Sequence, residues 1–535
     1  MIRARQFPSL KGRGQGWVAR RSLASGKAGT HYSDTAAANT QSAFAGIQPA
    51  HSLNPPLDPL PSREGRSLPV ARTLKALLLS VSLLAAPAFA QTIAITGGTV
   101  ALGDGSEPIQ GGTVVVRDGR IVAAGANVAI PANAQRIDAT GRWVTPGIVS
   151  GFSRVGIVEV DAVDSTNDIS ANGSPVSAAI DVVPAVNPRT TAIAISRSAG
   201  VTRAAVAPGT ARSIFAGQGA VIDLGNDMEP ITRARAFQFV EMGEDGASES
   251  GGSRAATYVL FRNALREARD LSRYSGISGG TGGQRQARAN DQRDLPLEEV
   301  PGDRMLGSGV QRGDDVLLTR FDAAALVPVL QGRQLLLVHV ERASDIIQVL
   351  GLKREFPNLR LVLVGATEGW TIADRIRAAG VPVIANALND LPASFEQLAA
   401  TQSNVARLKR AGVPVGLGQI NNEEGHQLQW SAQYAGNLVA LGKVPGAAGL
   451  TWGEALQTIT SAPAEALGMG AEIGSLKAGR RADVVVWDAD PLENGSAPVL
   501  VLIDGVQQPL ENRQTKLRNR YLRAGEGDLP KAYER

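Results

Sequence analysis

The 535-residue chain has no cysteine, only four histidines and 4% aromatic residues. Without cysteine it can build neither a disulfide framework nor a thiolate metal centre. With so few histidines, the placement of each decides what an imidazole-based site could be. A strong charge imbalance is also missing, since the net charge is +4. That small surplus is unevenly spread. Residues 1–67 hold nine Lys/Arg and three Asp/Glu, residues 68–90 hold two Lys/Arg and no acid, and the rest holds 43 basic against 47 acidic residues. A mildly acidic body without a basic stripe excludes a nucleic-acid surface.

Long apolar runs are missing too. The run Ala76–Ala86 is too short to span a bilayer, which takes about 20 residues. It follows Arg72-Thr-Leu-Lys75 and precedes Pro87-Ala-Phe-Ala90, the charged, apolar and Ala-x-Ala parts of a secretory signal peptide over 68–90. Residues 1–67 are rich in Arg, Gly, Ser and Pro and cannot bury enough apolar surface to fold. Because a signal peptide starts a protein, translation is expected to begin near Leu68 or Val70; a disordered extension is the alternative. The expected location is the periplasm of a Gram-negative cell or the medium, with no membrane contact after cleavage.

From Gln91 the chain reads as short strands and tight turns. Thr92–Ile95 and Thr113–Ala123 are β-branched, and Asp118-Gly119 predicts a hairpin. The same grammar returns at Gly474–Asp488 and Val499–Val506, so 91–146 and 474–510 are expected to form one small sheet domain. Between them, over 147–473, strand-like runs (Ala204–Ala207, Leu335–Val340, Leu361–Val364, Val381–Ile384, Val413–Leu417) alternate with helical stretches at 343–352, 371–379 and 395–411. This predicts a parallel sheet with crossover helices. An insertion at 243–304 breaks the rhythm with Ser248–Ser253 and Gly279–Gly283, a lid or a disordered loop. Inside it Tyr258, Phe261, Leu265 and Ala268 recur at helical spacing, which predicts a helix packed on the barrel. The charged tail 511–535, with Leu517, Tyr521 and Leu522, reads as a short surface or interface helix.

The stretch Val144-Thr-Pro-Gly-Ile-Val-Ser-Gly-Phe-Ser-Arg154 is a turn opening onto a strand buried on both faces. It resembles the first barrel strand of the amidohydrolase superfamily, in which Thr-Pro-Gly leads to an Asp-x-His-x-His that delivers two histidines to a metal. The likeness extends through Thr96-Gly-Gly-Thr-Val100, Gly119–Gly125, Ile137–Gly147, Ser461–Gly468 and Ile473–Trp487, from Gln91 to about Leu522, and is closest to the imidazolonepropionase-like branch. It implies an α/β fold: a distorted (β/α)8 TIM-type barrel plus a small composite β-sandwich from the two ends.

The resemblance also implies one or two divalent ions such as zinc, with a lysine or glutamate on strand 4, histidines on strands 5 and 6 and an aspartate on strand 8. Such an ion makes hydroxide for attack on non-peptide C–N bonds. Here Ser150, Phe152 and Arg154 stand at the Asp and the two His positions. His31 and His51 lie in the leader, which leaves His339 and His426. His339 falls at the strand 5 metal position. Glu368, after strand 6, is a candidate catalytic acid or a solvated loop acid. Gly365 or Ala366 stands where the strand 6 histidine is expected, Gln419 or Ile420 replaces the strand 8 aspartate, and Asn421, Glu423 and His426 follow as pocket candidates. Pro208–Gly219 reads as a backbone-lined loop beside the site, or only as a turn. Two functions stay open: an exported hydrolase of non-peptide C–N bonds on a reduced site, and a non-catalytic relative with a degenerate metal site. The second would bind a small, carboxylate-bearing ligand through Arg154, or pair with an active paralogue or with itself.

Overall fold

The computed structural model describes residues 92–274, 317–421 and 425–522. Residues 1–91, with the expected leader and signal peptide, Gly279–Gly283, Glu423 and residues 523–535 lie outside them.

Strands β1 (Thr92–Val100), β2 (Ile109–Arg117), β3 (Arg120–Gly125), β4 (Gln135–Asp138) and β5 (Trp143–Pro146) open the chain. The turn between β2 and β3 is the Asp-Gly hairpin, with both Asp118 and Gly119 at positive φ, as a type I′ turn requires. Next come β6 (Ile148–Ser153), β7 (Val201–Val206), β8 (Phe215–Asp223), β9 (Ile231–Glu241), β10 (Leu335–Val340), β11 (Leu361–Gly365), β12 (Val383–Ala385) and β13 (Val415–Leu417). They form one eight-stranded sheet in sequence order. Its two ends meet where the Gln419 amide donates to the Phe152 carbonyl at 2.8 Å, so the sheet is a nearly closed, distorted TIM-type barrel.

One strand departs from strict β/α alternation. β8 runs antiparallel to both β7 and β9. The connections at 207–214 and 224–230 are too short for a crossover, which takes about a dozen residues. The remaining neighbours are parallel. Finally β14 (Val484–Trp487), β15 (Pro498–Ile503) and β16 (Val506–Gln507) return to the first sheet. β14 pairs with β5, so the small domain is one continuous sheet made from both ends of the described chain.

Period-two alternation sorts the barrel side chains. Val149, Phe152, Ala205, Phe237, Phe239, Leu337, Val364 and Ile384 fill the interior. Val206, Val240, Val338, Leu363 and Val415 face outward under the helices. These are α1 (Thr191–Ser198), α2 (Gly243–Glu249), α3 (Arg254–Tyr274), α4 (Arg320–Leu330), α5 (Ala343–Glu355), α6 (Ala373–Ala379), α7 (Asn404–Arg410), α8 (Ser431–Ala440), α9 (Trp452–Thr458) and α10 (Ser461–Ala466). A last helix, α11 (Arg513–Leu522), carries no buried residue.

The helix expected in the insertion is α3. Its Phe261, Leu265 and Ala268 are fully buried, and Phe261 meets Phe215 of β8 edge to face at 5.8 Å. The stretch expected to be helical over 395–411 is helical only in α7. Before it, tertiary bonds hold the backbone out of a helix: the Trp370 indole donates to the Ala399 carbonyl at 2.9 Å, and the Ala399 amide donates to Glu368 at 3.1 Å.

Arg203, near the start of β7, ties the barrel to the small sheet. Its buried guanidinium donates twice to Asp483, at 2.8 and 3.0 Å, and to Asp504 at 2.8 Å. Burial works against its charge, but the two carboxylates outweigh it and raise its pKa. Among the described residues no helix is long and apolar enough to cross a membrane.

Candidate active site

The C-terminal ends of the barrel strands carry the catalytic groups in folds of this shape. Here β6, β9 and β10 bring Phe152, Arg154, Glu241, His339 and Glu341 to that end. The imidazole of His339 lies between two carboxylates. Nδ1 contacts Oε1 of Glu241, and Nε2 contacts Oε1 of Glu341 at 3.1 Å. The other oxygen of Glu341 accepts from the Thr367 amide at 2.7 Å. Glu241 is 7% and Glu341 3% exposed. Burial alone would discharge His339, yet the flanking carboxylates hold its pKa well above the usual value. Burial works against the Glu341 carboxylate as well, but His339 and the Thr367 amide hold its pKa below the usual range. Burial keeps the Glu241 carboxyl above that range.

Both strand 1 substitutions face this cluster. Phe152 stacks against Phe239 at 5.0 Å between ring centroids. The Arg154 guanidinium lies 5.1 Å from the Phe152 ring centre and 5.6 Å from that of Phe239. It is 5% exposed. Its Nη1 donates to the Ala207 carbonyl, while its Nε is buried with no hydrogen-bond partner among the described residues. Burial pushes its pKa down to about 10, opposed by the nearby charge of Glu241. The Ala207 carbonyl places the start of the Pro208–Gly219 segment beside this cluster.

The other candidates lie elsewhere. Glu368 is not presented to His339: its carboxylate accepts from the Ala343 amide, at the start of α5, at 3.0 Å and from the Ala399 amide. Gln419 points away from the barrel interior, with Nε2 3.4 Å from the Ser431 hydroxyl of α8. The inward residue at the end of β13 is Gly418, where a Cβ would meet Phe152 Cβ at 2.8 Å. Asn421 is exposed. His426 is half-buried and follows Gly425, whose carbonyl accepts from the Arg154 amide at 2.6 Å. Glu241 and Glu341 were not singled out in the sequence. The period of two from His339 to Glu341 was a usable signal, whereas the insertion after β9 hid Glu241.

The cluster therefore offers a carboxylate–imidazolium–carboxylate array beside a buried guanidinium. It can hold charge and position protons. Among the described residues no group of three or more His, Asp or Glu is placed to hold a metal ion.

This architecture is that of an amidohydrolase-type barrel. The family model described as the amidohydrolase family matches residues 358–512. The chain is 28% identical over 404 residues to amidohydrolase tasK of Hapsidospora irregularis, covering 71% of this chain and 38% of that protein. It is 34% identical over 157 residues to the imidazolonepropionase of Chromobacterium violaceum, covering 29% and 35%. The matched stretch thus spans well under half of the length of these curated relatives. The fold is similar to that of an amidohydrolase from Thermotoga maritima, with a TM-score of 0.63, 23% identity, and coverage of 78% of this chain and 99% of that one. Residues 358–512 thus match the amidohydrolase family model, and the chain is similar to amidohydrolases in sequence and in fold.

Proposed function

We propose that this chain is an exported, non-catalytic member of the superfamily that has lost metal-dependent hydrolysis and acts by binding. The carrying observation is the filling of the positions that the family resemblance assigns to metal ligands. Phe152 offers no donor and Arg154 is itself a cation. At the strand 6 position Gly365 has Glu341 against it, and at the end of β13 Gln419 points away while Gly418 has Phe152 against it. His339 already has a carboxylate at each ring nitrogen. A divalent ion needs several ligands converging on one point, and Glu241 and Glu341 approach opposite nitrogens of one ring. The donor set does not fit a catalytic zinc.

The test is metal content by mass spectrometry on purified protein, together with assays on cyclic and linear amides. A metal-free, folded and inactive protein is the expected result. Stoichiometric zinc or manganese that disappears in His339→Ala would instead establish a hydrolase of non-peptide C–N bonds, the activity that family membership suggests.

What is bound follows from Arg154 in a second reading. Its buried, unpartnered Nε suits a small carboxylate, for which guanidinium donors are well shaped. Calorimetry with acetate and succinate checks this, and equal affinity in the wild type and Arg154→Lys rejects it. Pairing with an active paralogue or with itself is the other form of binding, read by co-purification and sedimentation.

A further inference from the structure

We propose that Arg154 is a fixed internal cation that neutralises the carboxylate of Glu241 at the end of β9, the task a bound ion performs in a metal-dependent relative. This rests on the metal-free reading above and assigns Arg154 a role in the ligand-free protein.

Charge balance points to it. Glu241 and Glu341 bring two negative charges into a buried setting, and a protonated His339 offsets one. Without Arg154, Glu241 would share that one imidazolium with Glu341, with the Asp245 carboxylate also near it, an arrangement that folds tolerate poorly. The guanidinium is also built in on every side. Two ring faces flank it at cation–π distance, and the Ala207 carbonyl accepts from Nη1. Gly425 closes over its stem, where a Cβ at 425 would meet Arg154 Cγ at 2.7 Å. Glu241 lies within electrostatic reach but not in contact, so its attraction acts through a site of low polarity.

A carboxylate, two aromatic faces and a carbonyl make a recognition set for a planar organic cation. The class of molecule that fits this cage is a guanidinium, and in the native chain residue 154 supplies it.

The experiment is chemical rescue. Arg154→Ala should melt at a lower temperature than the wild type. Millimolar guanidinium or ethylguanidinium should restore part of the loss, while sodium, methylammonium and zinc at equal concentration should not. The wild type should respond to none of them. A midpoint that does not fall, a loss that no guanidinium restores, or restoration by zinc alone overturns the proposal. An unchanged or higher midpoint is what a site reserved for an external carboxylate would give, since the buried cation would then be a burden.

If Arg154→Ala does not fold, Arg154→Met, Glu241→Gln and the double variant decide in urea. Removing both charges should recover at least about tenfold in the unfolding constant over additive losses. Additivity overturns the proposal. Metal analysis of the wild type keeps the two claims apart: bound zinc defeats the metal-free reading, whereas a metal-free wild type without rescue or coupling defeats only this one.

Discussion

The carboxylate of Glu341 lies where a side chain at Gly365 would begin: a Cβ there would meet Glu341 Oε1 at 2.5 Å. Gly365 also sits at φ +85°, a conformation that L side chains enter at a cost. Gly365→Ala is therefore expected to lose at least about 2 kcal/mol in denaturant unfolding. Gly365→His alone should not yield folded protein, so the strand 6 histidine of a metal-dependent relative cannot be restored by a single exchange. A stable Gly365→His variant would show that Glu341 swings away freely.

The raised pKa of His339 has a defined sign. Its protonated form is favoured by folding, so the stabilisation is complete below the unfolded value near 6.5. It is lost as pH rises through the higher folded value. The wild type should lose stability into the alkaline range with a slope of up to about 1.4 kcal/mol per pH unit. His339→Gln should be less stable near neutrality and lack that alkaline limb. Equal slopes in the two proteins, measured by urea unfolding across pH, would count against the buried imidazolium.

Arg203→Met leaves Asp483 buried without its guanidinium. Breaking a buried pair on one side costs about 3 kcal/mol or more, and that loss is expected in the unfolding midpoint. Asp483→Asn should be milder, because Arg203 keeps Asp504 at 2.8 Å.

The connection between β12 and α7 shows its large apolar side chains to solvent, with Leu391 78%, Phe395 83% and Leu398 65% exposed. Meanwhile Glu396 anchors it inward, accepting from the Glu244 amide at 2.7 Å. Leu391→Ser with Phe395→Ser should change stability by no more than about 0.5 kcal/mol. The same pair of changes should lower self-association in light scattering at high protein concentration. A large stability loss would mean that these side chains pack against something.

Much of the scaffold was legible because local chemistry and global fold agree. Asp118-Gly119 could only turn, Thr145-Pro-Gly147 could only open a strand, and Phe261, Leu265 and Ala268 could only face a core. The site was legible where it lay on a clear strand, as with Phe152, Arg154 and His339. It failed where a residue's face had to be guessed across a turn. The resemblance puts Gln419 or Ile420 at the strand 8 aspartate position, yet the alternation Gly416, Gly418 turns Gln419 outward. Glu368 follows β11 and could have reached inward, yet backbone amides claim its carboxylate. Glu241 was invisible because no pattern marks the end of β9 before the insertion starts.

The clamp at Arg203 also sets an order in time. Its two carboxylate partners in the small sheet follow it by 280 and 301 positions, so a ribosome has built nearly the whole barrel before either of them exists. Until then Asp223 of β8, 3.5 Å from Nη1, and the Thr232 hydroxyl of β9 are what the barrel itself offers the guanidinium.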